Sequence, residues 1–151
     1  MTSAGGALAR YRLQRPFEAA EDALTLEKAQ RWNGAVNRLY YAAFYAAKAL
    51  LATREVDAAR HSAAISLFQL HFVKPGTIAV DLARVLPRAF EKRQNADYGD
   101  YAQASAEDVA ALRDLVEDFV DACATSRRGR PGKGRGATAV ICRRAHPVRT
   151  M

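Results

Sequence analysis

The stretch from Asn33 to Ala52 constrains the fold more than any other. Val36, Leu39, Tyr40, Ala43, Phe44, Ala47, Leu50 and Leu51 recur at intervals of three and four, the spacing of one buried face of an α-helix. Tyr41 and Tyr45 add bulk on a second face. A helix apolar on two sides belongs at the centre of a bundle or is shared with a partner subunit. Its most apolar part, Leu39 to Ala47, is bounded by Arg38 and Lys48 and falls well short of the ~20 residues a membrane span needs.

The same period runs through most of the chain, so the sequence predicts an all-α protein. Residues up to about Gln14 show little pattern and are expected to be frayed. Pro16 suits a first helical turn, and Ala20, Leu24, Leu26 and Ala29 continue a helix to about Trp32, with Asn33 placed to cap the next. A third helix spans Arg60 to Val73, carrying His61, Ile65, Phe68 and Phe72 on one stripe, and Pro75-Gly76 stops it. Thr77 is expected to cap a fourth with Ile78, Leu82, Val85, Leu86, Ala89 and Phe90. Pro87 must kink or split that helix, because it removes a hydrogen bond and clashes with the preceding turn. Gly99 is placed to end it. Ser105, followed by Glu107 and Asp108, marks the N-terminus of a last helix carrying Val109, Leu112, Val116, Phe119, Val120 and Cys123. Five helices with short connections give a largely up-and-down bundle.

Charge divides the chain unevenly. The net charge is +7, yet from Ser126 onward there are eight basic residues and no acidic one; without them 15 basic residues face 16 acidic ones. The domain is close to neutral and the basicity belongs to the tail. Gly129, Pro131, Gly132, Gly134 and Gly136 stand among the tail arginines, a composition expected to be disordered because it offers too little apolar surface to offset its ordering entropy. The expected division is a frayed N-terminus over 1–15, a helical domain over 16–125 and a basic tail over 126–151. Two cysteines, Cys123 and Cys142, give neither a zinc motif nor a disulfide framework, and no metal is expected. No secretory signal is visible behind Arg10, Arg12 and Arg15, so the chain reads as soluble and cytoplasmic.

Two short runs carry chemistry. Asn37-Arg38-Leu39-Tyr40-Tyr41-Ala42-Ala43-Phe44 sets a polar pair and two tyrosines in the middle of the apolar helix. Arg93-Gln94-Asn95-Ala96-Asp97-Tyr98 puts an arginine, a carboxylate and a phenol at or near helical spacing. Arg93 and Asp97 are four apart and can pair directly; taken alone, that is a surface salt bridge often worth under ~1 kcal/mol. Tyrosines in a bundle usually supply area and one hydrogen bond. His61, on a stripe with Ile65 and Phe68, reads as a packing residue.

From about Phe17 to Cys123 these runs together resemble the HEPN domain family, small helical modules tied to RNA cleavage and nucleotide binding. The resemblance implies a homodimer in which an arginine holds phosphate and a histidine, separated from it by four to six residues, moves protons without a metal or other cofactor. Arg93 matches the arginine. The histidine slots hold Tyr98, Gly99 and Asp100, and neither Tyr98 nor Asp97 titrates near neutrality as histidine does. The candidate catalytic set is therefore Arg93, Asp97 and Tyr98. A phosphate- or nucleotide-binding set is formed by Arg93, Arg38, Asn37 and Tyr41, with His61 in support. The resemblance further implies a nucleotidyltransferase partner in a toxin–antitoxin-type pair. The expected function is a nucleotide- or RNA-associated module within such a pair; the alternatives are an active endoribonuclease toxin and a non-catalytic interaction scaffold.

Overall fold

In the computed structural model, residues 4–98 and 103–127 are described, with side chains for 12–96 and 103–126. The helix read from the densest apolar pattern is α2, Trp32–Ala52, and twelve of its residues are buried. It forms the axis of the bundle, with α1 (Ala4–Lys28), α3 (His61–Phe68), α5 (Val85–Tyr98) and α6 (Ala106–Arg127) packed around it. α3 continues directly into a π-helical turn, Gln69–Val73, and Gly76, at φ +88°, follows in a conformation that L side chains rarely adopt. The described residues are helical with no strand, arranged as five rods.

The fourth rod is split as Pro87 requires. α4 (Val80–Ala83) stops, and α5 restarts at Val85, which puts Pro87 in a first turn, where a missing N–H is harmless. At α6, Ser105 Oγ accepts from the Asp108 amide (3.0 Å) and Asp108 Oδ2 accepts from the Ser105 amide (3.1 Å). This reciprocal pair satisfies two helix-end donors at once. Val109, Leu112, Val116, Phe119, Val120 and Cys123 are all buried, as their spacing demands.

Four expectations are corrected. The N-terminal segment is helical from Ala4, so Pro16 lies inside α1 rather than at its start; Pro16 is buried there and packing sustains the helix across it. α1 buries Ala19 and Ala23 and leaves Leu24 42 % exposed, because small residues on the inner side let α1 lie close along α2. Asn33 caps nothing: its side chain accepts from the Ala104 amide (2.9 Å) and donates to the Ala96 carbonyl (3.4 Å), tying α2 to the end of α5 and the approach to α6. Thr77 precedes α4 without capping it; Ala79 holds that position and no side chain bonds the helix end. α1 and α2 both end with a non-glycine residue at positive φ, Gln30 and Glu55. In each case the next amide bonds back five residues, Arg31 to Leu26 and Val56 to Leu51, so these carbonyls are satisfied despite the backbone cost. Residues 99–102 and 128–151, including Gly99 and nearly all of the basic tail, lie outside the described residues.

Candidate functional site

Between Ala35 and Leu51 nearly the whole circumference of α2 is covered, and what stays partly open is one stripe: Asn37, Arg38, Tyr41, Tyr45 and Lys48. These positions follow each other at three- and four-residue steps, so helix geometry alone lines them up. Neighbouring helices bring further groups to this stripe. α5 supplies Arg93 and Phe90, α3 supplies His61, and α1 supplies Arg15.

Two arginines meet at the Tyr41 ring. The Arg38 guanidinium carbon is 5.0 Å from the centre of its ring and that of Arg93 is 5.5 Å away, within cation–π range. Arg93 is also 5.5 Å from the Tyr40 ring. Arg38 is oriented by its neighbour, since Asn37 Oδ1 accepts from both Nε (3.3 Å) and Nη2 (3.1 Å). A guanidinium laid on an aromatic ring keeps its in-plane N–H groups directed outward, the geometry that suits two-pronged bonding to phosphate.

Beneath the arginines lies an aromatic cluster. The His61 ring stacks on Phe44 at 4.4 Å, and Tyr40 lies 5.5 Å from His61 and 5.7 Å from Phe90. The Tyr40 hydroxyl shares a short hydrogen bond with His61 Nδ1. Tyr40 is fully buried, and burial pushes its phenol well above the ordinary range, so it stays protonated. His61 itself is only partly buried. Burial, followed by the nearby charges of Arg93 and Lys48, holds the imidazole below its ordinary 6.5.

The depressed histidine has a consequence for stability. Its folded value lies below the unfolded one, so the unfolded state binds more protons on the acid side of 6.5. The contribution is complete above pH 6.5 and is lost as pH falls through the folded value. Glu117, raised chiefly by burial, works in the opposite sense, losing stability as pH rises through its folded value. Thermal unfolding measured between pH 7.5 and 5 should therefore be compared with a His61→Gln variant. The parent is expected to lose more stability toward acid than the variant; parallel curves would remove His61 from this role.

The structure thus brings Arg93, Arg38, Asn37, Tyr41 and His61 together. Asp97 and Tyr98 follow Arg93 on α5, but their side chains lie outside the described residues, and what is seen against Arg93 is the Tyr40–Tyr41 pair. Two participants were not identified from sequence: Tyr40 as the partner of His61, and Arg15, which donates to the Tyr45 hydroxyl (2.7 Å) and covers its ring at 4.0 Å. Tyr40 is in phase with the core positions of α2 and so reads as packing, and Arg15 falls in the segment expected to be frayed. Among the described residues no cluster of His, Cys, Asp or Glu could hold a metal ion, and no helix is long and apolar enough to cross a membrane.

Comparison with known proteins decides the family: the HEPN domain matches residues 9–127. The chain belongs to the HEPN domain family. A "UPF0332 protein" of Thermotoga maritima is 37% identical over 112 residues, 74% of this chain and 85% of that protein. Two proteins of Methanocaldococcus jannaschii are each 33% identical: "Putative toxin MJ0142" over 68% of this chain and 74% of its own length, and "Putative toxin MJ0605" over 74% and 86%. The HEPN match spans all five rods and the whole aromatic–arginine cluster, so the site lies within the shared domain rather than in an appendage.

Proposed function

We propose that this HEPN domain is an RNA- or nucleotide-associated module that binds phosphate between Arg38 and Arg93 and acts as one component of a toxin–antitoxin-type pair with a nucleotidyltransferase. The observation that carries the binding role is the pair of guanidinium groups that meet at the Tyr41 ring, one of them held by Asn37. The names of the two Methanocaldococcus jannaschii relatives support the toxin side of the pair; the partner follows from the family resemblance. A homodimer belongs to the same reading, because it would set two such arginine pairs in one cleft.

One observation favours the active endoribonuclease as a second reading. His61 feels the charge of Arg93, is held below its ordinary range chiefly by burial, and shares a hydrogen bond between Nδ1 and the Tyr40 hydroxyl. It is a titratable group near the phosphate-binding arginine, although it comes from α3 and not from the positions after Arg93.

The test is titration of a labelled, unstructured RNA and of mononucleotides with the parent and with an Arg38→Ala, Arg93→Ala double variant. Binding that weakens with salt and disappears in the double variant is expected. Equal binding by both proteins, or by neither, overturns the phosphate role and leaves the scaffold reading. Cleavage of the RNA that is lost in a His61→Gln variant would select the second reading.

A further inference from the structure

We infer that the stripe on α2 carries a second anion subsite, built from Arg15 and Tyr45, and that the ligand is a single-stranded oligonucleotide engaged through two consecutive phosphates. This rests on the proposed phosphate role of Arg38 and Arg93 and extends it from one phosphate to two.

Tyr45 follows Tyr41 by one helical turn, and the two ring centres are 5.5 Å apart. Each ring is faced by guanidinium: Tyr41 by Arg38 and Arg93, Tyr45 by Arg15 at 4.0 Å. The bond from Arg15 Nη2 to the Tyr45 hydroxyl (2.7 Å) fixes the arginine against the ring. Arg15 also comes from a different helix, so the second subsite spans α1 and α2 as the first spans α2 and α5.

The track has a definite end. One turn beyond Tyr45, the Lys48 ammonium lies 5.7 Å from the Phe44 ring, but it is already paired with Asp57 (3.3 Å) and donates to the Ala58 carbonyl (3.0 Å). A phosphate arriving there would meet a carboxylate. Two subsites one turn apart, closed by a carboxylate, match two phosphates separated by a nucleoside. They do not match a nucleoside diphosphate, whose phosphorus atoms share one bridging oxygen and lie too close together to reach both. The row is one side chain wide, so it follows one strand and not the two backbones of a duplex.

The experiment measures binding of UMP, UDP, the 5′-phosphorylated dinucleotide pUpU, a longer single-stranded oligouridylate and a blunt RNA duplex. The parent and the variants Arg15→Gln and Arg15→Lys are compared over a range of salt. For the parent, affinity is expected to rise by about tenfold from UMP to pUpU, the effect of one added charge-assisted contact. It should change little beyond pUpU, and UDP should bind like UMP. Arg15→Gln should remove most of the rise and flatten the salt dependence of pUpU binding by about 0.7 in log–log slope, one phosphate's worth on a single strand. Arg15→Lys should retain part of it, which separates charge from fold damage. The inference is overturned if pUpU binds no better than UMP, if UDP gains as much as pUpU, if the duplex binds as tightly as the single strand, or if Arg15→Gln keeps the full rise. Any of these results beside normal UMP binding leaves the first subsite standing. Absence of binding to every probe overturns both.

Discussion

Replacing Tyr40 by alanine is expected to destabilise the domain by about 3–5 kcal/mol, the range for removing a large aromatic side chain from a core. Tyr40 is fully buried and meets four rings of the aromatic cluster, with ring centres 5.0 Å from Tyr41, 5.7 Å from Phe44, 5.5 Å from His61 and 5.7 Å from Phe90. For a helical domain of this size that is a fall in Tm of about 10–15 °C, seen by circular dichroism. Tyr40→Phe separates the ring from its hydroxyl. It keeps the area and removes the bond to His61 Nδ1, so about 1–2 kcal/mol is expected. Tyr41→Ala should cost less than Tyr40→Ala, because Tyr41 is only partly buried. If Tyr40→Ala melted within a few degrees of the parent, the cluster would not be the core of the site, and the position of His61 would need another cause.

The elements legible in the sequence are those whose information is local. α2 and α6 have long, uninterrupted three-four patterns, and their buried positions fall where the patterns put them. Pro87 and the Ser105–Asp108 pair act on their own turns, so the split rod and the capping box could also be anticipated. α1 was harder to read, because its inner face is made of alanines that weigh little in a hydrophobic pattern while Phe17 and Leu24 point outward. Asn33 has the right chemistry for a cap but finds partners more than 60 positions away.

The candidate site divides in the same way. Asn37, Arg38 and Tyr41 are near neighbours on one helix, and spacing groups them. Arg93 joins them through packing of α5 on α2, which no local pattern states; the family resemblance supplied that link. The Tyr40–His61 bond crosses the loop between α2 and α3, and the Arg15–Tyr45 contact crosses from α1 to α2. Both pairs depend on how rods are set side by side, and a single sequence carries no signal for that.

Arg93 gives the sharpest separation of function from structure. Arg93→Ala is expected to weaken binding of a short single-stranded RNA by about 10- to 150-fold, the equivalent of losing a charge-assisted contact worth about 1.5–3 kcal/mol. Arg93→Lys should recover only part of this, because an ammonium keeps the charge but not the planar fork. Stability should fall modestly. Arg93 faces two rings at 5.5 Å, and such contacts at partly exposed sites contribute about 0.5–1 kcal/mol each. A further readout is independent of RNA. The Arg93 charge is one of the causes that hold His61 below its ordinary range, so its removal should move the His61 titration upward, as followed by the NMR shifts of the imidazole ring protons. A merely structural arginine predicts a different set of results: RNA binding like the parent, a Tm lowered by more than 10 °C and no recovery by lysine. That pattern would assign Arg93 to the core of the bundle and withdraw the phosphate site with it.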